Sequence, residues 1–332
     1  TLSSSSAASD VYKRQAMLAT SFTAISQLAR LGDKRFICNE DYSAMVMYMA
    51  NGRSLIALGD PVGPEQEHRE LLWQFRERAD HVRRRPVVFM ARPEHLSLYY
   101  ELNLVPHKLG QEAVVDLQNL AAHLPPPLLE AAQQVKTQGF RIDVLSADEV
   151  AGKLHELKDI SDEWIAQRQF EEQGFALGNF DANYLMQLPH ALIYVDDRLM
   201  GFASLLNSGD GKELAVDLLR HRNQMPDSWL PAFYVALFQW AKTQKYRRFC
   251  FGLVPVKDWT DHPFAALWSK IGRTLLLQGR PVEQPDLVRE FKEKFAPTWE
   301  DRYLITSSTA PLPQVLNDVS ALMSREPLKQ ET

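Results

Sequence analysis

RSLIALGDPVGP, residues 53–64, runs directly into EQEHRELLWQFRERADHV, residues 65–82, and the junction between them decides the fold. The apolar, β-rich run around Leu55 and Ile56 stops at Gly59, Asp60, Pro61, Gly63 and Pro64. Two prolines and two glycines in six positions restrict the backbone to one path. Beyond them Leu71, Leu72, Phe75, Ala79 and Val82 recur at helical spacing, so the loop joins a strand to the start of a helix. Exposed N–H groups and the helix dipole favour an anion at such a junction. A stiff structural turn accounts for the same residues.

Upstream, SAMVMYMA (43–50), the Asn51-Gly52 pair and RSLIALG (53–59) predict a hairpin, since Asn-Gly suits a tight turn between strands. Downstream, RPVVFMA (85–91) reads as a buried strand, PEHLSLYYELN as a second helix and EAVVDL (112–117) as a further strand. After Pro125–Pro127 a helix-prone stretch and the strand GFRIDVL lead into a long helical segment over about 147–173. The order then recurs: ALIYV, an Asp196-Asp197 turn, RLMGFASLL, ELAVDLL, a polar loop, a helix over 229–244 and the strand RRFCFGLV. This is an α/β layer pattern used twice. It predicts a first domain over 16–146, a connecting helix over 147–174, a second domain over 175–310 and a tail over 311–332. Residues 1–15, TLSSSSAASDVYKRQ, read as an assembly scar and are expected to be disordered.

The bulk numbers narrow the class. A chain of 332 residues with 45% hydrophobic and 24% charged residues can bury real cores and reads as soluble and globular. Its net charge of −5 argues against a general nucleic-acid coat, so any contact with tRNA or anionic lipid must be local. Cys38 and Cys250 stand far apart, with no CxxC or Cys/His cluster, so no disulfide framework or structural zinc is indicated. No apolar run is long enough to span a membrane.

The second copy carries the denser chemistry. In DLLRHRNQMPDSW, residues 217–229, Arg220, His221 and Arg222 precede a helix start near Asp227 and Ser228, and guanidinium groups fork onto phosphate oxygens. Asp217, read as lying at a strand end, offers a carboxylate next to a cation. In FKEKFAPTWEDRYL, residues 291–304, Phe291 and Phe295 share a helix face as core anchors, while Lys294 near the helix end can present a charge to a carbonyl oxygen or phosphate. The ordinary alternatives are an Asp–Arg structural pair and a surface lysine at a helix carboxyl terminus.

GRSLIALGDPVGP, FALGNFDANYL (175–185), DLLRHR (217–222) and FKEKFAPTWEDRYL, in that order, resemble the cytosolic catalytic domain of the bacterial phosphatidylglycerol aminoacyltransferases. These are the lysyl- or alanyl-phosphatidylglycerol synthases, or multiple peptide resistance factors. The likeness covers about residues 25–305. It implies an α/β (α+β) fold of tandem acetyltransferase-like (GNAT) domains, as in the Fem-type transferases. It also implies aminoacyl-tRNA as donor and phosphatidylglycerol as acceptor at the cytoplasmic membrane face, and membrane-charge modification that resists cationic peptides. Exchanging one ester for another requires no cofactor or metal. The sequence leaves open whether a transmembrane domain precedes this chain.

On this resemblance Asp217, Lys294 and Arg220 are the expected catalytic residues, with Asp217 and Lys294 in one cleft and Arg220 on its rim. His221, Arg222, Arg302, Asp181 and Asp60 are the expected substrate contacts, although Asp181 also suits a cap of the following turn. Departures from the family pattern flank the site: a single lysine in PPPLLEAAQQVKTQGF, Pro231 in place of an acidic residue, and VEQPDL (282–287) in place of an aromatic-Asn-Phe stretch. The alternatives are an acyl-CoA-dependent N-acyltransferase and a catalytically silent tRNA- or lipid-binding module.

Overall fold

Alternation at period two builds the first half. In a computed structural model describing residues 3–168, 171–266, 268, 276–277, 280–281 and 285–324, helix α1 (Ser3–Ala19) and a 3-10 segment (Ala24–Leu31) come first. Strands β1 (Arg35–Cys38), β2 (Met45–Asn51) and β3 (Ser54–Leu58) follow, then helix α2 (Glu65–His81), strand β4 (Arg85–Ala91), helix α3 (Leu96–Glu101) and strand β5 (Leu104–Asp116). Val46 and Tyr48 of β2 pack with Leu55 of β3 against Leu71, Leu72 and Phe75 of α2. Met45 and Met47 turn to the core on the opposite face. The hairpin turn is shifted by one residue from its sequence reading. Asn51 pairs with Ser54, so the turn positions are Gly52 and Arg53, and Gly52 takes the left-handed conformation (φ +52°).

The second half repeats the order. Helix α4 (Pro126–Lys136), strand β6 (Arg141–Leu145), a 3-10 segment (Ala147–Lys153), helix α5 (Leu154–Arg168) and the single turn α6 (Ala182–Leu185) lead to strands β7 (His190–Val195), β8 (Arg198–Asn207) and β9 (Glu213–His221). Helix α7 (Trp229–Thr243) and strand β10 (Arg248–Val254) complete the repeat. A small pair, β11 (Leu276–Leu277) and β12 (Arg280–Pro281), precedes helix α8 (Pro285–Glu293), strand β13 (Thr298–Ser307) and helix α9 (Leu312–Met323). Asp196 and Asp197 both have positive φ in the two-residue turn between β7 and β8, as a hairpin of that type requires. The helices α2 and α7 end alike, each followed by a left-handed residue, Arg83 and Lys245.

The halves are joined through the sheet. Eleven strands run in the order β1-β2-β3-β4-β13-β5-β10-β9-β8-β7-β6. Only β3–β4 and β9–β10 are parallel, each pair bridged by its helix, α2 or α7. At the centre β13 pairs with β4 of the first half, β5 pairs with β10 of the second, and the two pair with each other over ten positions from Thr298↔Val114 to Ser307↔Leu104. Each half therefore borrows its central strand from the other half's stretch of sequence. The division expected at residue 146 does not follow the packing: Leu128, Ala132 and Val135 of α4 pack with Phe233 and Phe238 of α7, and β6 pairs with β7.

Two terminal expectations also change. Ser3–Ala19 is helical rather than disordered, with Met17 and Leu18 buried in the shared core. The stretch read as a tail contains α9, whose Val315, Val319 and Leu322 enter that core. Asp318 of α9 accepts from the Arg53 N–H and the Ser54 hydroxyl, clamping the first hairpin. Residues 1–2, 169–170, 282–284 and 325–332, on which parts of the expected scar, connecting helix, VEQPDL departure and tail fall, lie outside the described residues.

Candidate active site

Two parallel strands that part create the site. β9 and β10 pair only at Glu213↔Arg248, Leu214↔Phe249 and Ala215↔Cys250. Beyond that point β9 stays with β8 and β10 with β5. Each strand bulges as it leaves the other. On β9, Asp217 and Leu218 stand against the single residue Ser204, and on β10, Phe251 and Gly252 stand against the single residue Ala113. Bulges re-aim side chains and are common beside active sites. A cavity of about 280 Å³ fills the gap, with Val216, Asp217, Phe251 and Gly252 among its walls. The first half has no counterpart, because β3 and β4 stay paired over five positions, Ser54↔Arg85 to Leu58↔Phe89.

Helix α8 closes one side of the cavity and puts a lysine into it, though not the expected one. Its buried positions include Pro285, Val288, Arg289 and Lys292, the i, i+3, i+4, i+7 stripe of an inward face. Lys292 is 6% exposed and lines the cavity. Its Nζ donates to the carbonyls of Phe251 (2.7 Å) and Gly252 (3.0 Å), in the bulge of β10. Burial brings its pKa down to about 7, with the charge of Glu112 opposing that shift and Arg289 adding to it. Lys294 lies past the helix end, is exposed, and reaches out over the Phe291 ring instead of into the cavity. The expected pairing of Asp217 with Lys294 is thus corrected to Asp217 with Lys292. Phe291 and Phe295 are buried anchors, as their spacing predicts.

Asp217 occupies the opposite wall, in the middle of β9 rather than at its end. Its carboxylate accepts from the Gly178 N–H (2.8 Å) and the Tyr184 hydroxyl (2.7 Å). Burial raises its pKa, and those hydrogen bonds, Arg220 and Lys34 hold it back. Gly178 is required here, because a Cβ at that position would lie 1.8 Å from the Asp217 carboxylate. The neighbouring N–H of Leu218 is taken up by the Ser204 hydroxyl (3.0 Å).

Between the halves stand three arginines paired with three glutamates, of which Arg92, Arg302, Glu112 and Glu213 line the cavity. Arg92, just after β4, grips both oxygens of Glu213 at 3.0 Å. Arg248 bonds Glu300 (2.8 Å), and Arg302 bonds Glu112 (2.5 Å) and Glu300 (3.0 Å). Arg302 stands in β13, the final strand as expected, and lines the cavity, but its guanidinium is already engaged by these carboxylates. Cys250 lies among them, and burial, then Glu112 and Glu213, push its thiol up.

The other expected contacts have different jobs. Arg220 is 1% exposed and forks onto Glu172 (2.6 and 2.7 Å), with a further bond to the Ser161 hydroxyl and the Trp164 ring beneath it. It anchors α5 and does not rim the cavity. His221 stacks on Trp229 with ring centroids 4.8 Å apart, and Arg222 pairs with Glu163 of α5. The strand runs on to His221, so the arginines stand against α5 instead of on an open loop. Asp181 caps α6 through the Tyr184 N–H (2.8 Å). Asp60 is half-buried, accepts from the Tyr99 hydroxyl (2.6 Å) and the Arg92 N–H (2.9 Å), and desolvation raises its pKa. The opening loop is structural: Val62 bridges back to Met45, and a Cβ on Gly63 would lie 2.5 Å from the Ser43 carbonyl oxygen. Ser228 is the N-cap residue of α7 but makes no capping bond, and Pro231 sits in that helix's first turn, where proline is tolerated.

This arrangement offers an amine that changes protonation near neutrality and a half-buried carboxylate across a largely apolar cavity. Such a pair can move a proton and hold an ammonium group. Among the described residues no group of three or more His, Cys, Asp or Glu is placed to hold a metal ion. No helix is long and apolar enough to cross a membrane among the same residues.

Comparison with known proteins is specific. Residues 15–306 match the family described as phosphatidylglycerol lysyltransferase, C-terminal. The phosphatidylglycerol lysyltransferase of Bacillus subtilis (strain 168) is 30% identical over 285 residues, 85% of this chain and 33% of that protein. The chain spans about a third of the length of the curated relatives it matches. Among solved structures, the DUF2156 domain from Agrobacterium fabrum is 29% identical with a TM-score of 0.86, covering 96% of this chain and 97% of that one. L-PGS from Bacillus licheniformis is 27% identical with a TM-score of 0.82, covering 95% and 97%.

Proposed function

Because the chain belongs to the phosphatidylglycerol lysyltransferase C-terminal family, we propose that it is the part of an aminoacyltransferase that moves a lysyl group from aminoacyl-tRNA to a hydroxyl of phosphatidylglycerol. The observation that carries this reading is Lys292, held in the gap between β9 and β10 with a pKa of about 7. In the exchange, the lipid oxygen bonds to the acyl carbon, the ribose oxygen leaves, and one proton passes from the lipid hydroxyl to the ribose. Neutral Lys292 takes that proton and, as the ammonium, returns it, which is the work of a general base tuned close to the working pH. Asp217 holds an ammonium of the aminoacyl group, a role that returns its carboxyl, whose pKa desolvation raises, to the charged form. Lysine suits this cavity because the Asp217 carboxylate, held by the Gly178 N–H and the Tyr184 hydroxyl, lines it. Esterifying an anionic lipid with a dicationic amino acid makes the membrane surface less negative, and so less attractive to cationic peptides.

The test is transfer of radiolabelled lysine from lysyl-tRNA to phosphatidylglycerol vesicles by the 332-residue chain. Labelled lipid is expected with the native chain and at least about a hundredfold less with Lys292→Met, the usual range for losing a positioned base. A folded chain that yields no labelled lipid overturns the reading in favour of a binding module. Product formed only from an acyl-CoA donor overturns it in favour of an N-acyltransferase.

A further inference from the structure

The first half keeps its parallel strands closed and holds no cavity between them, yet it carries a second concavity at its other end. Arg35 of β1, Arg78 of α2 and Arg84 before β4 rim a groove of about 490 Å³, with Met49, Leu55 and Val82 in its floor and no carboxylate in its lining. Arg53 and Arg83, both exposed, stand at the same end, where the Arg85 N–H bonds the Arg53 carbonyl (2.8 Å) and the Arg84 guanidinium bonds the Gly52 carbonyl. Among the described residues none of Arg35, Arg53, Arg78, Arg83 and Arg84 forms an ion pair. Of the acids near the groove, Asp80 pairs with Arg76, and Asp318 clamps the hairpin. In this chain Arg220, Arg222, Arg248 and Arg302 all have carboxylate partners, so a cluster of arginines without them is distinctive.

We propose that this arginine-rimmed groove docks the chain on an anionic lipid surface, with its guanidinium groups on headgroup phosphates and its apolar floor against the lipid carbons beneath. Guanidinium forks match phosphate oxygens, and basic clusters are drawn to anionic leaflets. A nucleic-acid backbone would satisfy the arginines but has no use for a floor of Met49, Leu55 and Val82, which favours an amphiphile. The groove lies by the amino end of β4 and the catalytic cavity by its carboxyl end, at Phe89 and Met90. Arg84 and Phe89 are five positions apart along this stretch, about 17 Å. Docking therefore leaves the cavity unobstructed. The proposal deepens the reading of a bilayer lipid as acceptor, but its test measures binding, so the two fail separately.

The experiment is co-sedimentation of the whole chain with vesicles of mixed phosphatidylglycerol and phosphatidylcholine, compared with phosphatidylcholine alone. The native chain should bind the mixed vesicles, more weakly as salt rises. The variant R35E/R78E/R84E should bind at least about a hundredfold less tightly, taking the usual contribution of each basic residue near such a surface. Because Arg84 also holds the Gly52 carbonyl, R35Q/R78Q serves as a second variant and should lose about thirtyfold. Both should transfer normally to short-chain phosphatidylglycerol dissolved as monomers. Equal binding of native chain and variants overturns the proposal, as does equal binding to phosphatidylcholine alone. Vesicle binding that survives while tRNA binding falls also overturns it and assigns the groove to nucleic acid. If the variants lose vesicle binding while even the native chain transfers nothing, docking stands and the transferase reading falls.

Discussion

Lys292 and Lys294 are two positions apart and have opposite surroundings, which makes them a sharp pair for measurement. Neutral Lys292 is the form that accepts a proton, so transfer should rise about tenfold per pH unit below 7 and level off above it. Lys292→Met should abolish that profile with the loss given above, and Lys294→Met should leave both rate and profile close to native. Stability gives an independent sign. The folded pKa of about 7 lies below the ordinary lysine value of 10.5, so between those pH values the unfolded chain binds more protons. Native stability therefore rises with pH across that window, and the full penalty of burying the charge is present below it. Urea unfolding at pH 7 and 9 should show this rise in the native chain and its loss in Lys292→Met. Unequal hydrogen bonding cannot mimic the slope, because the lost bonds to Phe251 and Gly252 do not titrate. The FKEKF motif was legible as core plus cation, but the choice of cation depends on where the helix starts. Only a start at Pro285 puts 288, 289 and 292 on the inward stripe, and Arg289 disguises that stripe because it too is charged.

Element boundaries explain the other misplacements. β4 and α7 match their sequence readings to within a residue, because their apolar patterns end at sharp turns. β5 is thirteen residues long, and only its last five, continued to Leu117, read as strand. Its earlier part contains Pro106, tolerated because β10 reaches only Gln111–Asp116 and leaves β13 as the strand partner there. β9 also runs longer than it reads, and its bulge shifts the facing of everything beyond Leu218 in a way that no period-two count anticipates. Arg220 is thereby turned toward α5 and Glu172. Arg220→Gln should lower stability by about 3 kcal/mol, as breaking a buried ion pair does. The salt dependence of tRNA binding should stay unchanged, since no phosphate contact is lost. Chemical denaturation and binding titrations over a salt series check the two halves of that expectation. A flattened salt slope with native stability would restore the phosphate role.

At the scale of the whole molecule, the repeated order of hairpin, strand, helix and strand was legible as a duplication, but the exchange of central strands was not. A repeat shows that two halves are alike and is silent on which half completes which sheet. Here β13, drawn from the last tenth of the described sequence, separates β4 from β5, and without it the two have no neighbour in common. Leu304 and Ile305 of β13 enter the two cores that the first half builds on its opposite faces. Conversely, β5 pairs with β10 beside the cavity, and Glu112 of β5 reaches Arg302 of β13. The cavity beside β9 and β10 is thus lined by residues from both ends of the chain, Phe89 and Arg92 from the first half and Arg302 from β13. A fragment of residues 16–146 would leave the edges of β4 and β5 unpaired, and α4 and β6 without α7 and β7. We expect that fragment to be largely unfolded or aggregated by circular dichroism and size-exclusion chromatography. The complete chain should unfold in one cooperative transition, with fluorescence and circular dichroism coincident. A fragment that folds alone, with a matching separate transition in the complete chain, would show that the shared central strands add little to either half.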